Sequence, residues 1–163
     1  MGSLVIDNTV LVDIEKGNLL SRLFICPYSF ITTDLVYNEF KRRNNMDLVK
    51  YGLNVEGLSG SHIRQIYELR QQYPKLSIPD LSIFVLAKYK HIALLTGDKN
   101  LRILARKEGL SLHGTLWVMD EMVKNKIISP KTAIESLSLM LEQQRFLPKE
   151  ECIKRIKKWS RMK

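Results

Sequence analysis

Apolar residues follow two spacings along the chain, and the two alternate. Short apolar runs occupy residues 4–6, 30–32, 92–95 and 110–112, and residues 53–58 alternate weakly between apolar and polar. Runs of this length, bounded by polar or turn residues, are typical of buried strands. The pattern therefore predicts four strands and a candidate edge strand.

Between these runs, apolar residues recur every three or four positions, which is the spacing of a helix with one buried face. This predicts helices over residues 8–16, 34–45, 62–73, 77–90 and 99–108, and a largely helical chain from residue 116 to the end. Strands that alternate with helices predict an α/β fold with a mainly parallel central sheet and a helical C-terminal extension.

The composition is that of a globular protein and excludes a fibre or a disordered tail. The chain has 163 residues, of which 45% are hydrophobic and 26% are charged, enough to bury a core without disulfides or a structural metal. The net charge of +9 is uneven, since residues 149–163 contribute seven basic and two acidic side chains. We predict a main domain over residues 1–145 and a basic C-terminal helix over residues 146–163.

Cysteine usage and hydropathy indicate a cytoplasmic protein. Cys26 and Cys152 are far apart in sequence and match neither a disulfide framework nor a metal-binding spacing. The chain shows neither a secretory signal nor an apolar run approaching the ~18–20 residues of a membrane span. We expect a cytoplasmic protein that does not interact with a membrane.

Four carboxylates carry the first chemical signal: Asp7, Glu39, Asp80 and Asp98. Asp7 and Asp98 directly follow predicted strands, where ligands bind in parallel-sheet folds. Each acid alone also fits an ordinary role, as a helix cap or a solvent-facing side chain. If the four lie together, their mutual repulsion is relieved by a divalent cation, and their hard oxygen donors suit Mg²⁺ or Mn²⁺.

The order of these acids resembles that in PIN domains, a family of nucleases with an Asp, Glu, Asp, Asp carboxylate set. The matching segments are LVIDNTV, TTDLVYNEF, IPDLSIFVLA and LLTGDKNL. The resemblance covers residues 4–145. It implies a three-layer α/β/α fold in which Asp7, Glu39, Asp80 and Asp98 bind Mg²⁺ or Mn²⁺ and are catalytic, with metal-bound water as the attacking group.

The resemblance also implies neighbours for the metal ligands. Asn8 or Thr9, together with Thr96, would orient ligands or waters around the ion. Many family members carry a further acid two residues after the last Asp, where this chain has Asn100. Asn can hydrogen-bond a water but supplies no charge, so we expect one tightly held Mg²⁺, with another arriving with substrate.

Many small free-standing PIN proteins are VapC-type toxins of toxin–antitoxin modules, which are metal-dependent ribonucleases. The resemblance therefore implies an RNA substrate, a small antitoxin partner and a homodimer. Lys41 and Arg42, and Lys99 and Arg102, are candidate RNA contacts. The same bases also fit a solvated helix face or complementation of a helix dipole.

Two other functions compete with the ribonuclease. A catalytically degenerate PIN-like module could bind RNA or protein without cutting, which the basic tail and Asn100 permit. A haloacid-dehalogenase-type phosphatase also begins with a strand and an Asp. That family requires a second Asp as general acid two residues later, where this chain has Thr9.

Overall fold

Five parallel strands form the centre of the protein in a computed structural model that describes residues 2–162. The strands are β1 (Gly2–Ile6), β2 (Tyr28–Thr33), β3 (Asn54–Glu56), β4 (Ala93–Leu95) and β5 (Leu112–His113). Their order across the sheet is β3-β2-β1-β4-β5, and every neighbouring pair is parallel. The predicted α/β fold with a parallel sheet is confirmed, and the candidate edge strand is β3.

The helices follow the predicted segments with small shifts at their ends. They are α1 (Asn8–Lys16), α2 (Leu20–Leu23), α3 (Asp34–Asn44), α4 (Gly60–Gln72), α5 (Ile78–Lys90), α6 (Lys99–Lys107), α7 (Thr115–Lys124), α8 (Pro130–Glu142) and α9 (Lys149–Ser160). The four-residue helix α2 and a 3₁₀ turn over Leu48–Tyr51 were not predicted, because so short a segment shows no helical periodicity.

The prediction for the last strand was two residues early. Gly109 ends α6 with a left-handed φ of 74°, and the Leu110 amide donates to the Ala105 carbonyl at 2.9 Å. Leu110 therefore belongs to the helix termination. Pairing with β4 begins only at Leu112, opposite Leu94.

Helices on both faces of the sheet make the three layers. Alternate residues of β1 point to opposite faces, as the pleat of a strand requires. Val5 joins the core beneath α4, α5 and α6, whereas Leu4 and Ile6 join the core formed with α1, α2, α7 and α8. The expected three-layer α/β/α architecture is thus present.

The C-terminal helix α9 is docked on this second core. Trp159 and Cys152 are buried, and Ile156 packs partly against them. Ile153 on the same helix, in contrast, is 45% exposed. Helix α9 contacts α7 and α8, and the boundary at residues 145/146 stays a prediction.

Within residues 2–162, no helix combines the length and apolar character that a membrane crossing requires.

Candidate active site

Asp7 is the centre of the site at the carboxyl edge of the sheet. It directly follows β1 and caps α1, and its side chain is almost fully buried at 1% exposure. One carboxylate oxygen, Oδ1, accepts the Asn8 amide at 2.7 Å. The other, Oδ2, accepts the hydroxyls of Thr96 at 2.6 Å and Thr9 at 3.0 Å. These three donors hold the carboxylate in one orientation.

The protonation of Asp7 is strongly perturbed. Burial, the largest cause, and repulsion from the Asp80 carboxylate raise the pKa of Asp7 from 3.8 to about 6. The hydrogen bonds from Thr96, Thr9 and Asn8 oppose this rise. A buried carboxylate with a raised pKa and a second carboxylate near it is characteristic of functional sites.

Thr96 connects Asp7 to Asp98. Its hydroxyl donates to Asp7 and accepts the backbone amide of Asp98 at 3.1 Å. Asp98 in turn caps α6, with its Oδ1 accepting the Leu101 amide at 2.8 Å. The Thr9 hydroxyl also accepts the Gly97 amide at 2.9 Å. The ends of β1 and β4 are therefore joined by the two threonines.

Asp80 approaches the same edge from the first turn of α5. It forms a capping box with Ser77, in which Asp80 Oδ2 accepts the Ser77 amide at 2.9 Å and the Ser77 hydroxyl accepts the Asp80 amide at 3.1 Å. The Ser82 and Thr33 hydroxyls lie 2.7 Å apart and connect α5 to the start of α3. The cap is thus an anchored position for a carboxylate that interacts with Asp7.

Glu39 lies apart from the hydrogen-bonded group on Asp7. It is half-buried on α3 and pairs with Arg43 one turn later at 3.5 Å. Three of the four predicted acids, Asp7, Asp80 and Asp98, are therefore linked by contacts or by electrostatic interaction. The role of Glu39 stays a prediction.

The family of the chain follows from a comparison with family models. The model DUF3368, described as a PIN domain, matches residues 3–161. This chain belongs to the PIN-domain family. PIN domains are generally nucleases and typically use divalent metal ions, so the fold is of the nuclease type. The match extends through α9.

Solved structures also include similar chains. One is a PilT N-terminus domain protein, SSO1118, from the hyperthermophilic archaeon Sulfolobus solfataricus P2, at 15% identity and a TM-score of 0.47. The alignment covers 71% of this PIN domain and 89% of that chain. No curated protein matches the sequence.

The donor chemistry of this PIN domain fits a hard divalent ion. Asp7, Asp80 and Asp98 each keep carboxylate lone pairs beyond the hydrogen bonds described, because a carboxylate offers about four acceptor sites. The side-chain oxygen of Asn8, next to Asp7, is buried without a hydrogen-bond partner among the described residues. Both features favour a cation at this edge.

The side chains are not gathered into a preformed cage. Within residues 2–162, no three His, Cys, Asp or Glu side chains are placed to hold a metal ion together. Mg²⁺ usually keeps several waters and binds through one or two carboxylates plus substrate phosphates. The arrangement suits that mode, and the predicted set of four protein ligands stays a prediction.

The remaining predicted residues of this PIN domain differ in their exposure and in their contacts. Lys41, Arg42 and Lys99 are exposed. Arg102 is partly committed to structure, because its Nη1 donates to the Thr96 carbonyl at 2.7 Å and the His113 carbonyl at 3.4 Å. Asn100 lies beside the α4–α5 connection, in a groove that includes Tyr73, and not in the hydrogen-bonded group on Asp7.

A second buried acid, Asp13, was missed by the sequence analysis. It lies one turn after Thr9 on α1, accepts the Thr115 hydroxyl at 2.6 Å and pairs with Arg145 Nε at 2.6 Å. Burial raises the pKa of Asp13, while the bonds from Thr115 and Arg145 lower it. The signal in the sequence was a charge inside the apolar stretch of residues 10–14. Its partner, 132 residues away, left no local signal.

We expect Arg145→Met to destabilise the protein by about 1–3 kcal/mol, because it leaves Asp13 buried with one fewer charged donor. Urea unfolding at pH 8 measures this change. Lys16→Met is the matched control, since Lys16 is exposed and pairs only loosely with Glu15 at 3.7 Å; it should change stability by less than about 0.5 kcal/mol. Equal stabilities for both variants would contradict a stabilising role of the ion pair between Asp13 and Arg145.

Proposed function

We propose that this PIN domain is a metal-dependent endoribonuclease. The observation that supports it best is the buried Asp7 at the strand edge, with Asp80 close enough to raise its pKa and Asp98 held on the same threonine hydroxyl. Fixed hydroxyls around a buried negative charge favour a site that binds a cation and, through it, a phosphodiester. The net charge of +9 suits a polyanionic substrate.

The residues have separate tasks in this proposal. Asp7 and Asp98 would be the principal ligands, with Asp80 and Glu39 completing the predicted set. A bound Mg²⁺ or Mn²⁺ would supply an activated water and neutralise charge on the phosphate. Thr96 and Thr9 fix the Asp7 carboxylate through their hydroxyls. The capping bonds of Asp80 and Asp98 tie those carboxylates to helix N-termini and so limit their motion.

The biological role belongs to the same proposal. We infer a cytoplasmic toxin of a toxin–antitoxin module that acts on RNA, forms a homodimer and is held by a small antitoxin. Support comes from the family and from the exposed bases Lys41, Arg42 and Lys99, of which Lys99 directly follows Asp98. These side chains are free to contact phosphates, whereas part of the Arg102 guanidinium is used within the fold.

Metal dependence is the direct test of the activity. EDTA-treated protein should not cut single-stranded RNA, and Mn²⁺ or Mg²⁺ should restore cleavage. In calorimetry, wild type should bind Mn²⁺ and Asp98→Asn should bind it at least about 10-fold more weakly. Glu68→Gln, an exposed acid on α4, is the matched control and should bind like wild type.

Two results would contradict the proposal. Cleavage that survives EDTA would exclude the metal mechanism. RNA binding without cleavage, in a protein that binds no Mn²⁺, would favour the degenerate PIN-like binding module instead.

A further inference from the structure

A groove of about 700 Å³ lies beside Thr96, along the end of the sheet. It begins at Thr96 and Gly97, passes the end of β5 and the start of α7, and reaches the connection into α9. We call it the β5–α9 groove. Thr96, whose hydroxyl donates to Asp7, also lines the groove, so the groove adjoins the candidate active site at this residue.

Phe146 on the rim of this groove is unusually exposed. Its side chain is 96% exposed, the highest value among the large apolar residues of the described chain, where Ile25 follows at 63%. Burying a Phe side chain is worth about 1.5–3 kcal/mol, so Phe146 contributes little of this to folding. A large apolar side chain left outside the core is informative when it lies on a potential binding surface.

The backbone that carries Phe146 is fixed on both sides. Arg145 pairs with Asp13 at 2.6 Å, and its amide donates to the Met140 carbonyl at 3.1 Å. Leu147 packs against the hydrophobic core, and α9 starts two residues later. Phe146 is therefore held at its position by its neighbours, which reduces the entropy lost on binding.

Two further aromatic rings line the same groove. His113 and Trp117 stack on each other with ring centroids 4.0 Å apart and an angle of 14° between planes. Burial lowers the pKa of His113, which favours its neutral ring near neutral pH. The groove thus presents aromatic rings beside the carboxyl edge of the sheet.

The charges of the groove favour an anionic occupant. Arg102, Arg106 and Arg155 line it together with Glu151, which leaves an excess of two positive charges, three minus one. Arg155 is neutralised by Asp120 and Glu151. Arg106 takes part in none of the ion pairs between described residues. Burial, the larger cause, and the charge of Arg106 one turn later lower the pKa of Arg102. Two adjacent cations favour an anion between them.

We propose that the β5–α9 groove binds the nucleotides of single-stranded RNA next to the scissile phosphate, with a base stacked on Phe146 and a phosphate on Arg106. This assignment rests on the proposed ribonuclease function and extends it to a substrate subsite. Combined aromatic platforms and positive charge bind single strands without requiring a particular sequence.

The test measures binding in the absence of cleavage. A fluorescein-labelled single-stranded RNA of about 12 nucleotides is titrated with full-length protein in EDTA, and anisotropy gives the affinity. Phe146→Ala should weaken binding about 10-fold, as expected for loss of one stacked base, and Phe146→Tyr should stay within about 3-fold of wild type. Phe146→Leu keeps an apolar side chain but no ring and should behave like Phe146→Ala.

Arg106→Gln tests the phosphate contact independently. It should weaken binding and lower the slope of log affinity against log salt by about 1. Ile25→Ala is the matched control, because Ile25 is also exposed but lies before β2, at the amino ends of the strands. It should bind RNA like wild type. Urea unfolding of each variant verifies that none of the effects arises from loss of stability.

The outcomes separate the subsite from the activity. If wild type binds and cuts RNA while Phe146→Ala has unchanged affinity, the subsite is wrong and the ribonuclease stands. If Phe146→Ala changes the sedimentation coefficient and leaves RNA affinity unchanged, Phe146 belongs to a contact between copies and the proposal is overturned. If wild type neither binds nor cuts RNA with Mn²⁺ present, the proposed function itself fails.

Discussion

Asp7→Asn should lose more than about 100-fold of the cleavage rate and gain stability at pH 8. Even the loss of a hydrogen-bonding partner behind a metal ligand costs about 10–100-fold, and Asp7 is the central carboxylate of the site. The same change removes a buried charge. Since the pKa of Asp7 rises from 3.8 to about 6 on folding, its ionised form costs the metal-free protein about 3 kcal/mol.

The stability gain has a defined pH dependence. Between about pH 4 and pH 6 the folded wild type binds a proton at Asp7 that the unfolded chain has lost, so the free energy of unfolding falls as pH rises. The penalty is absent below pH 4 and complete above about pH 6. Urea unfolding in EDTA should therefore show Asp7→Asn more stable than wild type by about 1–3 kcal/mol at pH 8, with a smaller difference at pH 4.

Metal provides the control for this prediction. Mn²⁺ should stabilise wild type, because it binds the folded state, and should have little effect on Asp7→Asn. A variant that is less stable than wild type at pH 8 in EDTA would contradict the assigned electrostatics of Asp7.

The same variant tests the toxin role, since growth arrest on induction of the wild-type gene should be relieved by Asp7→Asn. Arrest by both proteins would exclude a role for cleavage.

Trp159→Ala should destabilise the protein by about 3–5 kcal/mol, the cost of deleting a large aromatic side chain from a core. Trp159 is 1% exposed in the core shared with α7 and α8. Its Nε1 donates to Asp120 Oδ1 at 3.2 Å, so truncation also removes a hydrogen bond. Urea unfolding followed by far-UV circular dichroism measures the change.

Ile153→Ala on the same helix is the matched control for Trp159. Ile153 is apolar and 45% exposed, so its truncation should change the free energy of unfolding by less than about 0.5 kcal/mol. If Trp159→Ala is as stable as wild type, α9 is not part of the cooperative core. Equal losses for both variants would contradict the assignment of Trp159, and not Ile153, to the core.

Local patterns were sufficient for the fold class and for part of the site. The apolar runs that became β1 and β4 are short and end in Asp7 and near Asp98, and parallel strands bring their carboxyl ends to one edge. The start of α5 was equally readable, because Ser77, Pro79 and Asp80 match a cap with proline in the first turn. These features depend on neighbours within a few residues.

Long-range contacts were beyond such patterns. Arg102 was predicted to face RNA, yet one nitrogen of its guanidinium donates to two carbonyls at the ends of β4 and β5. Which partner a long charged side chain selects depends on the position of every nearby backbone group, and spacing along one helix does not contain that information.

The order of apolar and polar residues determines the alternation of strands and helices. It also determines that Asp7 and Asp98 lie at one edge of the sheet. Both results depend on the strand period and on helix caps, which are local properties. The ion pair between Asp13 and Arg145, the fixed position of Phe146 and the groove beside Thr96 arise only when α1, β5 and the start of α9 pack together. Contacts across more than 130 residues depend on the shape of the whole core, which no local pattern specifies.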